Sequence, residues 1–326
     1  MKPDWCIKVC GEGCRINDKE QPFIDKKLDI CTKYGPVMPK EPRNSFGTVW
    51  LGENVHRLYY CDFRNAYISI SSNGHKFIPS VSVMLGEPDG WDRGIDCATV
   101  FQEGPMWYML YRGHNGEKFI PYAIGLAGSF DGYSWFKCAD NPVMVPEAGA
   151  WDGQYIGSDL HAPFDPWGII KVEYTYYMWF NSEHPSTCRT TGLATSKDLV
   201  NWKRDAKNPI FENGKFCMSP FKYKDNFYLI VTAGGFKRDG TNRFELYRDK
   251  KPTFYPEDRE YLGVILNCGT KGEFDDLYID GPNVLTSDIQ RNPIIEDGKI
   301  KLYYTGEGQK FGQWCHGLAY LDMEKI

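Results

Sequence analysis

A unit of short strands recurs along this 326-residue chain, and that recurrence limits the fold more than any other feature. One copy opens with WDRGIDCATVF at Trp91 and continues through MWYMLYRG, AIGLAGSFDGYSW and NPVM. A second copy opens with WDGQYIGSDLHAPF at Trp151 and continues through YTYYMWFN, TGLATSKDLVNW and NPIF. In both copies a Trp-Asp pair comes first, an aromatic strand and a Gly-Leu-Ala strand follow, and Asn-Pro closes the unit.

Three weaker copies complete the set. They read SFGTVWL, HRLYYCDF and AYISISSNGHKF; CMSPFKY, NFYLIVTAGG and RFELYRD; and FDDLYIDGPNVL, KIKLYYTGEG and CHGLAYLD. Their strands alternate with a period of two, and no long stretch has helical periodicity. The repeat therefore predicts an all-β fold, a five-bladed β-propeller with a central funnel. A β-sandwich is the alternative, but a sandwich does not require each unit to restart with the same Trp-Asp pair.

The organisation of the chain and its net charge bear on the domain boundaries and on the kinds of partner that we expect. Residues 1–42 precede the first copy, and we predict that they pack on the propeller or close its ring, while residues 43–326 form the propeller itself. A net charge of -5 argues against nucleic acid as a partner, because its backbone requires a basic groove. The apolar runs are strand-sized, far short of the about 20 residues of a spanning helix, so we expect no membrane contact.

The cysteines and the N-terminal sequence bear on the cellular location of the protein. The 11 cysteines are odd in number, and the opening MKPDWCIKVCGEG lacks the apolar core of a secretory signal. Reduced thiols and a cytoplasmic location are therefore expected. Cys6, Cys10 and Cys14 are evenly spaced, with Cys31 beyond them, but this spacing does not match the paired knuckles of zinc or iron–sulfur sites.

The phrases GLAGSFDGYSW and GLATSKDLVNW, together with the blade openings, resemble the five-bladed β-propeller glycosidases of glycoside hydrolase families 43, 32, 62, 68 and 130. The resemblance covers residues 43–322 and implies a small-molecule carbohydrate as the partner. It implies that acidic residues at the starts of the inner strands face the funnel. It also implies no cofactor beyond a divalent cation in the central channel, where some members place a histidine in the position of His316.

Aligning the blade openings by their own pattern places Ser45, Asp96, His161, Met218 and Asp280 at equivalent positions. By resemblance, Asp96 matches the second-blade aspartate that orients the catalytic acid and tunes its pKa. The family usually has a general-base aspartate on the first blade and an acidic glutamate on the third.

This sequence departs from that pattern at both places. Asn44 and Ser45 stand where the first-blade aspartate belongs, and His161 stands where the third-blade glutamate belongs. The usual catalytic pair is therefore absent from its standard positions.

Glycoside cleavage typically uses two carboxyl groups, one protonated and one ionised. Asp96 and Asp280 are the first candidates because both open an inner strand, although each could instead cap a turn. Asp159 lies two residues before His161, so the pair could share acid–base work or a structural hydrogen bond. Glu183, after the second strand of the third blade, is the candidate for a displaced acid or for a solvated loop carboxylate. The catalytic candidates are thus Asp96, Asp280, Asp159, His161 and Glu183.

A second set of polar residues, at strand starts and after second strands, forms the predicted substrate-binding group. Arg112 could clamp a carboxylate or phosphate in bidentate fashion, or pair with Asp96 for structure. The repeated Trp135 and Trp202 indicate packing, whereas the unrepeated tryptophans are freer to stack on sugar rings. The substrate-binding candidates are Asn44, Ser45, Arg112, His114, Glu307 and His316, and the unrepeated tryptophans are Trp107, Trp151, Trp167 and Trp314.

These observations favour a glycoside-active enzyme, either a hydrolase or a phosphorylase or transferase, that works through clustered carboxylates in the funnel. Two alternatives stay open. One is a propeller that binds a glycan or small metabolite without cleaving it, and the other is a divergent enzyme that uses His161 for acid–base chemistry. The sugar, the linkage and the oligomeric state are not indicated by the sequence.

Overall fold

The computed structural model describes residues 26–38, 47–115, 122–153, 164–184, 188–235, 238–310 and 314–326, and for Glu183, His184 and Cys188 it describes the backbone alone. In these ranges the regular structure is almost entirely β, and the one helical element is the 3-10 turn Met323–Lys325. Among the same residues, no helix has the length and apolar character needed to span a membrane.

Within the described ranges, 21 strands form five sheets, and the first of these strands is β1 (Cys31–Pro36). Blade 1 contains β2 (Gly47–Gly52), β3 (Val55–Cys61), β4 (Asn65–Ser71) and β5 (Val81–Leu85). Blade 2 contains β6 (Gly94–Glu103), β7 (Met106–His114), β8 (Ala123–Ser129) and β9 (Phe136–Lys137). Blade 3 contains β10 (Asp165–Val172), β11 (Thr175–His184), β12 (Cys188–Ser196) and β13 (Lys203–Arg204).

Blade 4 contains β14 (Lys215–Tyr223), β15 (Asn226–Ala233), β16 (Arg243–Asp249) and β17 (Glu260–Asn267). Blade 5 contains β18 (Tyr278–Val284), β19 (Ile295–Glu296), β20 (Lys299–Glu307) and β21 (Trp314–Asp322), in the order β18-β20-β21-β1 with β19 beside β20. The inner strands β2, β6, β10, β14 and β18 contact one another around the ring. The predicted five-bladed β-propeller is confirmed, and the sandwich alternative is wrong.

The ring closes between distant parts of the chain. The strand β1 pairs antiparallel with β21, so residues 31–36 supply the outer strand of the last blade. Just before it, Lys27 forms a bridge to Val264 of blade 4. Residues 31–36 thus complete the last blade, while residues 1–25 and 39–42 lie outside the described residues, and the role predicted for residues 1–42 stays a prediction.

The repeated Trp-Asp signal is structural. The aspartates of blades 2 and 3, and the Asp275 that follows Phe274 in blade 5, are all buried. Each pairs with a cation on the outermost strand of its own blade, and so ties the loop before the inner strand to the far side of the sheet. The pairs are Asp92 with Lys137 at 2.7 Å, Asp152 with Arg204 at 2.7 Å, and Asp275 with Lys33 at 2.8 Å.

The repeated Gly-Leu-Ala signal is structural as well. A Cβ atom at Gly192 would come within 2.5 Å of the Trp151 ring, and one at Gly317 within 2.4 Å of Phe274. The aromatic rings that open blades 3 and 5 therefore need a glycine on the third strand to pack against, whereas Trp91 of blade 2 packs on Gly113 of the second strand. The following turn is held by its own side chain, since Asp131 accepts from the backbone N–H groups of Tyr133 and Ser134 and its pKa falls to about 2 because of these bonds.

A belt of hydrogen bonds joins the inner strands at one level of the channel. Thr48 Oγ1 donates to the Ala98 carbonyl at 2.9 Å, and Thr99 Oγ1 donates to the Pro166 carbonyl at 2.8 Å. The Val284 N–H donates to Ser219 Oγ at 3.0 Å, and the Val49 N–H donates to Asn283 Oδ1 at 2.9 Å. These bonds link blades 1 to 2, 2 to 3, 4 to 5 and 5 to 1, so all inner strands run in one direction. We call the end where they begin the mouth and the other end the base.

The segment 285–294 crosses the base. The Leu51 N–H donates to the Thr286 carbonyl at 3.2 Å, the Lys171 N–H to Ile289 at 2.9 Å, and the Lys222 N–H to Arg291 at 2.9 Å. These donors lie at the far ends of the inner strands of blades 1, 3 and 4. The base is therefore closed by backbone, and a ligand site belongs at the mouth.

We expect Asp275→Asn to destabilise the protein, because the substitution removes the buried charge that binds β1 through Lys33. The expected loss is about 2–3 kcal/mol, below the full cost of a broken buried pair because Lys33 reaches solvent. Urea unfolding measures it. The control Asp225→Asn alters an exposed turn and should change stability by less than about 0.5 kcal/mol. Equal midpoints for wild type and Asp275→Asn would contradict the closure role.

Candidate functional site

The inner strands of blades 2 to 5 each carry a β-bulge near the mouth. The bulges lie between Asp96 and Ala98, Pro166 and Gly168, Phe216 and Met218, and Asp280 and Asn283. Cys97, Cys217 and Gly281 take left-handed conformations there, with φ of 44°, 50° and 59°. Bulges re-aim the side chains next to them, and they recur beside active sites. This level of the channel is therefore the place to search for a site.

Asp96 and Asp280 occupy the same level, each directly before its bulge. Each carboxylate accepts the backbone N–H of the next residue, from Cys97 to Asp96 at 2.8 Å and from Gly281 to Asp280 at 2.6 Å. Both side chains are buried. A shared local geometry therefore holds two aspartates at matching places on blades 2 and 5.

The surroundings of Asp96 are cationic. Arg112, on the neighbouring strand β7, donates from Nη2 to Asp96 and from Nη1 to Asp165. Arg189 Nη1 lies 3.5 Å from the other oxygen of Asp165. The Arg112 guanidinium also stacks on the Tyr122 ring at 4.5 Å. These contacts form an alternating chain of charges, Asp96–Arg112–Asp165–Arg189, in which the Arg112 guanidinium stabilises negative charge on the Asp96 carboxylate.

Asp280 has a different environment. Tyr278 Oη donates to Oδ2 at 2.7 Å, and Thr232 Oγ1 donates to Oδ1 at 3.0 Å. Burial raises the pKa of Asp280 above its ordinary value, and the donors from Tyr278 and Cys217 and the Arg189 charge oppose that rise without cancelling it. The environment of Asp280 thus favours the protonated acid more than that of Asp96 does.

The sequence alignment of the other blade openings is wrong. Pro166 holds the level of Asp96 in blade 3, and Phe216 holds it in blade 4. The alignment placed His161 and Met218 there because Ala-Pro-Phe and Ser-Pro-Phe resemble strand starts.

Several predicted residues cannot be placed by their side chains. Asn44, Ser45, Asp159 and His161 lie outside the described residues. Glu183 is on β11 opposite Arg189, with its backbone alone described. Their proposed roles stay predictions.

Glu307 contacts Trp314, one of the aromatic residues beside Asp280. Its Oε2 accepts from Trp314 Nε1 at 2.8 Å and lies 2.8 Å from Arg238 Nε. Trp314 stacks near Tyr278, the donor to Asp280, with ring centroids 6.3 Å apart. Trp167 packs on the same cluster, which also contains Cys97, Phe216 and Cys217. Half-buried Trp167 and Trp314 are therefore near the carboxylates.

The other two unrepeated tryptophans are not available for stacking. Trp107 is buried between Trp50 and Arg57, and Trp151 packs on Phe180 with ring centroids 5.6 Å apart. The interpretation that these two are free to contact sugar is wrong, because both fill space between strands.

The two predicted histidines are buried. His114 Nε2 is 3.1 Å from the Phe63 carbonyl, and burial, followed by the Arg112 charge, lowers its pKa to about 4. His316 packs against Tyr60 with ring centroids 5.6 Å apart. No group of three or more His, Cys, Asp or Glu side chains among the described residues is arranged to hold a metal ion. The divalent cation in the channel stays a prediction.

Seven cysteines have described side chains, and none of these seven forms a disulfide. They are Cys31, Cys61, Cys97, Cys138, Cys217, Cys268 and Cys315. Burial raises the pKa of Cys97 and Cys217 well above the ordinary value, so both stay protonated and unreactive as nucleophiles. The cytoplasmic location stays a prediction.

Sequence reasoning missed Asp165, Arg189 and Tyr278. Asp165 sits directly before Pro166, where the third blade departs from the aligned pattern, and Arg189 precedes Thr-Thr-Gly-Leu-Ala where blade 2 has Tyr122. A search for charged residues that interrupt the repeat would have found both.

Comparison with known proteins gives the fold alone. No protein-family model and no curated protein matches the chain. Zg3597, a family 117 glycoside hydrolase produced by the marine bacterium Zobellia galactanivorans, has a TM-score of 0.66 and 12% identity over 91% of both chains. The catalytic domain of the Coprinopsis cinerea family 62 α-L-arabinofuranosidase has a TM-score of 0.62 and 12% identity, over 90% of this chain and 96% of that chain.

A third structure comes from the family 130 of mannoside phosphorylases, which contains glycoside hydrolases that target β-1,2-mannosidic linkages in Candida mannan. It has a TM-score of 0.56 and 15% identity, over 85% of this chain and 84% of that chain. The chain therefore has the fold of the five-bladed β-propeller glycoside hydrolases, and the resemblance drawn from the repeat is confirmed at that level.

We expect the stability to fall as the pH drops from 6.5 to 4, partly through His114. The pKa of His114 in the folded protein is about 4, below the ordinary 6.5. Between these pH values His114 is protonated in the unfolded chain and stays neutral in the folded chain. The contribution is full above pH 6.5 and shrinks by at most about 1.4 kcal/mol per pH unit below it. Urea unfolding across this range should give a flatter profile for His114→Gln.

His56 provides the matched comparison, because burial also lowers its pKa to about 4 in blade 1, away from the bulges. His56→Gln should flatten the profile in the same way, and the double variant should flatten it further. Profiles that keep the wild-type slope in both single variants would refute the assignment.

Proposed function

We propose that this protein is a glycoside-active enzyme that binds a carbohydrate at the mouth of the channel and uses Asp96 and Asp280 as its ionised and protonated carboxyl groups. One observation carries the proposal. Two buried aspartates sit at the same level of two blades, Asp96 against the Arg112 guanidinium and Asp280 at a position where burial raises its pKa. Such divided pairs are how one site runs acid and base chemistry at the same pH.

Asp280 is the general acid in this proposal. Its raised pKa retains the proton that a departing sugar oxygen requires, and Tyr278 and Thr232 fix the orientation of its carboxyl group. A general acid must release its proton toward the leaving group during bond cleavage. The Asp280 side chain therefore has to meet the glycosidic oxygen at the bulge level.

Asp96 is the ionised partner. The Arg112 guanidinium stabilises its negative charge. An ionised carboxylate in this place supports the positive charge that develops on the sugar ring, or activates the attacking group. Glu183 and the pair Asp159 and His161 are retained as further candidates for these steps.

The charges of the described mouth are balanced. Asp96 and Asp165 face Arg112 and Arg189, while Glu307 faces Arg238. With Asp280 protonated, this cluster has no net charge. That balance favours an uncharged sugar over an acidic one, and half-buried Trp167 and Trp314 supply aromatic faces of the kind on which sugar rings stack.

The test is turnover of aryl glycosides and natural oligosaccharides, with and without phosphate, by wild type, Asp96→Asn and Asp280→Asn. General acid–base groups contribute about 10²–10⁴-fold, so each substitution should reduce kcat by that amount. Thermal unfolding of each variant, with Asp225→Asn as an exposed control, separates lost chemistry from lost folding.

Asp280→Asn has a more specific signature. A substrate whose leaving group departs without protonation, such as a dinitrophenyl glycoside, should keep most of its turnover, whereas an alkyl glycoside should lose nearly all. The basic limb of the pH–rate profile should vanish as well. Equal losses on both substrates would remove Asp280 from the role of acid.

One observation favours a second candidate function, a propeller that binds a glycan without cleaving it. Asp96 and Asp280 are almost fully covered, and each also holds its own bulge through a backbone N–H. A purely structural pair would look the same. Sugar binding by calorimetry with no turnover on any substrate, with or without phosphate, would support this function over catalysis.

A further inference from the structure

A buried arginine closes the base of the channel. Arg291, in the segment 285–294, donates from Nε to the Ile169 carbonyl at 2.8 Å and from Nη1 to Thr286 Oγ1 at 3.3 Å. Its guanidinium lies over the Trp50 ring at 5.0 Å. Only 4% of the residue is exposed. These contacts account for two of the five N–H donors that a guanidinium carries.

The Arg291 charge has little compensation from the protein. Among the described residues, Asp288 is the one carboxylate whose charge acts on it. The oxygens of Asp288 accept from the backbone N–H and Nδ2 of Asn292 at 3.1 and 3.2 Å. Burial lowers the pKa of Arg291 to about 10, which still leaves it charged at neutral pH. A buried cation without a counter-charge is costly.

A small cavity lies beside this cation, between the bulges and the base. Arg291 lines it together with Thr48, Ser219 and Asn283 of the inner strands, and its volume is about 10 Å³. That is room for a single water molecule or small ion. Asn283, which accepts the Val49 N–H through Oδ1, carries an amide Nδ2 that is a donor, and Ser219 carries a hydroxyl.

We propose that this cavity binds a monatomic anion, chloride in ordinary solution, as the counter-charge of Arg291. The donors of Arg291, Asn283 and Ser219 come from the base segment and from blades 5 and 4, so the anion joins elements that have no backbone ladder between them. At this level the guanidinium repels a divalent cation, so the channel cation expected by resemblance would have to lie elsewhere. Asp96 and Asp280 do not line this cavity, although Trp167 and Pro282 at the level of the bulges do, and anion binding does not depend on glycoside turnover.

The first experiment measures thermal unfolding of the whole protein at constant ionic strength in sodium chloride, sodium bromide and sodium gluconate. Because a ligand that binds the folded state alone stabilises it, we expect a midpoint about 2–4 °C higher in either halide than in gluconate. Arg291→Met should remove that difference.

Arg259→Met is the matched control. Arg259 also stacks on an aromatic ring, Phe211 at 3.8 Å, and donates to the Ile210 carbonyl at 2.7 Å, but it does not line this cavity. The variant should lose stability and keep the halide effect. A halide effect that persists in Arg291→Met would overturn the proposal, because the anion would then bind elsewhere.

The second experiment remains informative if Arg291→Met does not fold. Crystals of the wild-type protein soaked in bromide should show an anomalous peak in the cavity, beside the Arg291 guanidinium. An ordered water or a cation at that position, with no bromide peak, would overturn the proposal.

Discussion

The hydrogen-bonded belt around the channel is the interaction on which the rest of the molecule depends. Strands within a blade are joined by backbone ladders, but the inner strands of neighbouring blades are not, so the ring is held by side-chain hydrogen bonds, by packing and by the backbone bonds of the segment 285–294. Thr48, Thr99, Ser219 and Asn283 provide these links at one level. Because the links bind inner strands in a common direction, they fix the height at which every bulge and every candidate carboxylate sits.

The β-bulges in the inner strands position the candidate site residues. One added residue in an inner strand turns its neighbours toward the channel, and an aspartate before the bulge can accept the freed backbone N–H. Asp96 and Asp280 both use this arrangement. Their difference arises from what surrounds them. The Arg112 guanidinium binds Asp96, whereas Asp280 is buried among the hydroxyl groups of Tyr278 and Thr232 and the Cys217 thiol.

The sequence repeat reflects the packing of the blades, whereas the site residues differ from blade to blade. This is why the sequence predicted the fold better than the site. Trp151, Gly192 and Asp152 recur because packing against a third strand and pairing with an outer strand are needed in blade after blade. Residues of the site are exceptions to the repeat. Asp165 and Arg189 were missed for that reason, and the bulge of blade 3 places Pro166, not His161, at the level of Asp96.

The sequence by itself determined the number of blades, the all-β class and the placement of Asp96 and Asp280 at strand starts, because these depend on local periodicity and on spacing along the chain. Tertiary structure alone decided which blade positions are equivalent, since one bulge shifts a register that the sequence does not mark. It also decided that Arg112 bridges Asp96 and Asp165, and that Arg291 reaches the channel. Those contacts join residues far apart in the chain, and only the closing of the ring brings them together.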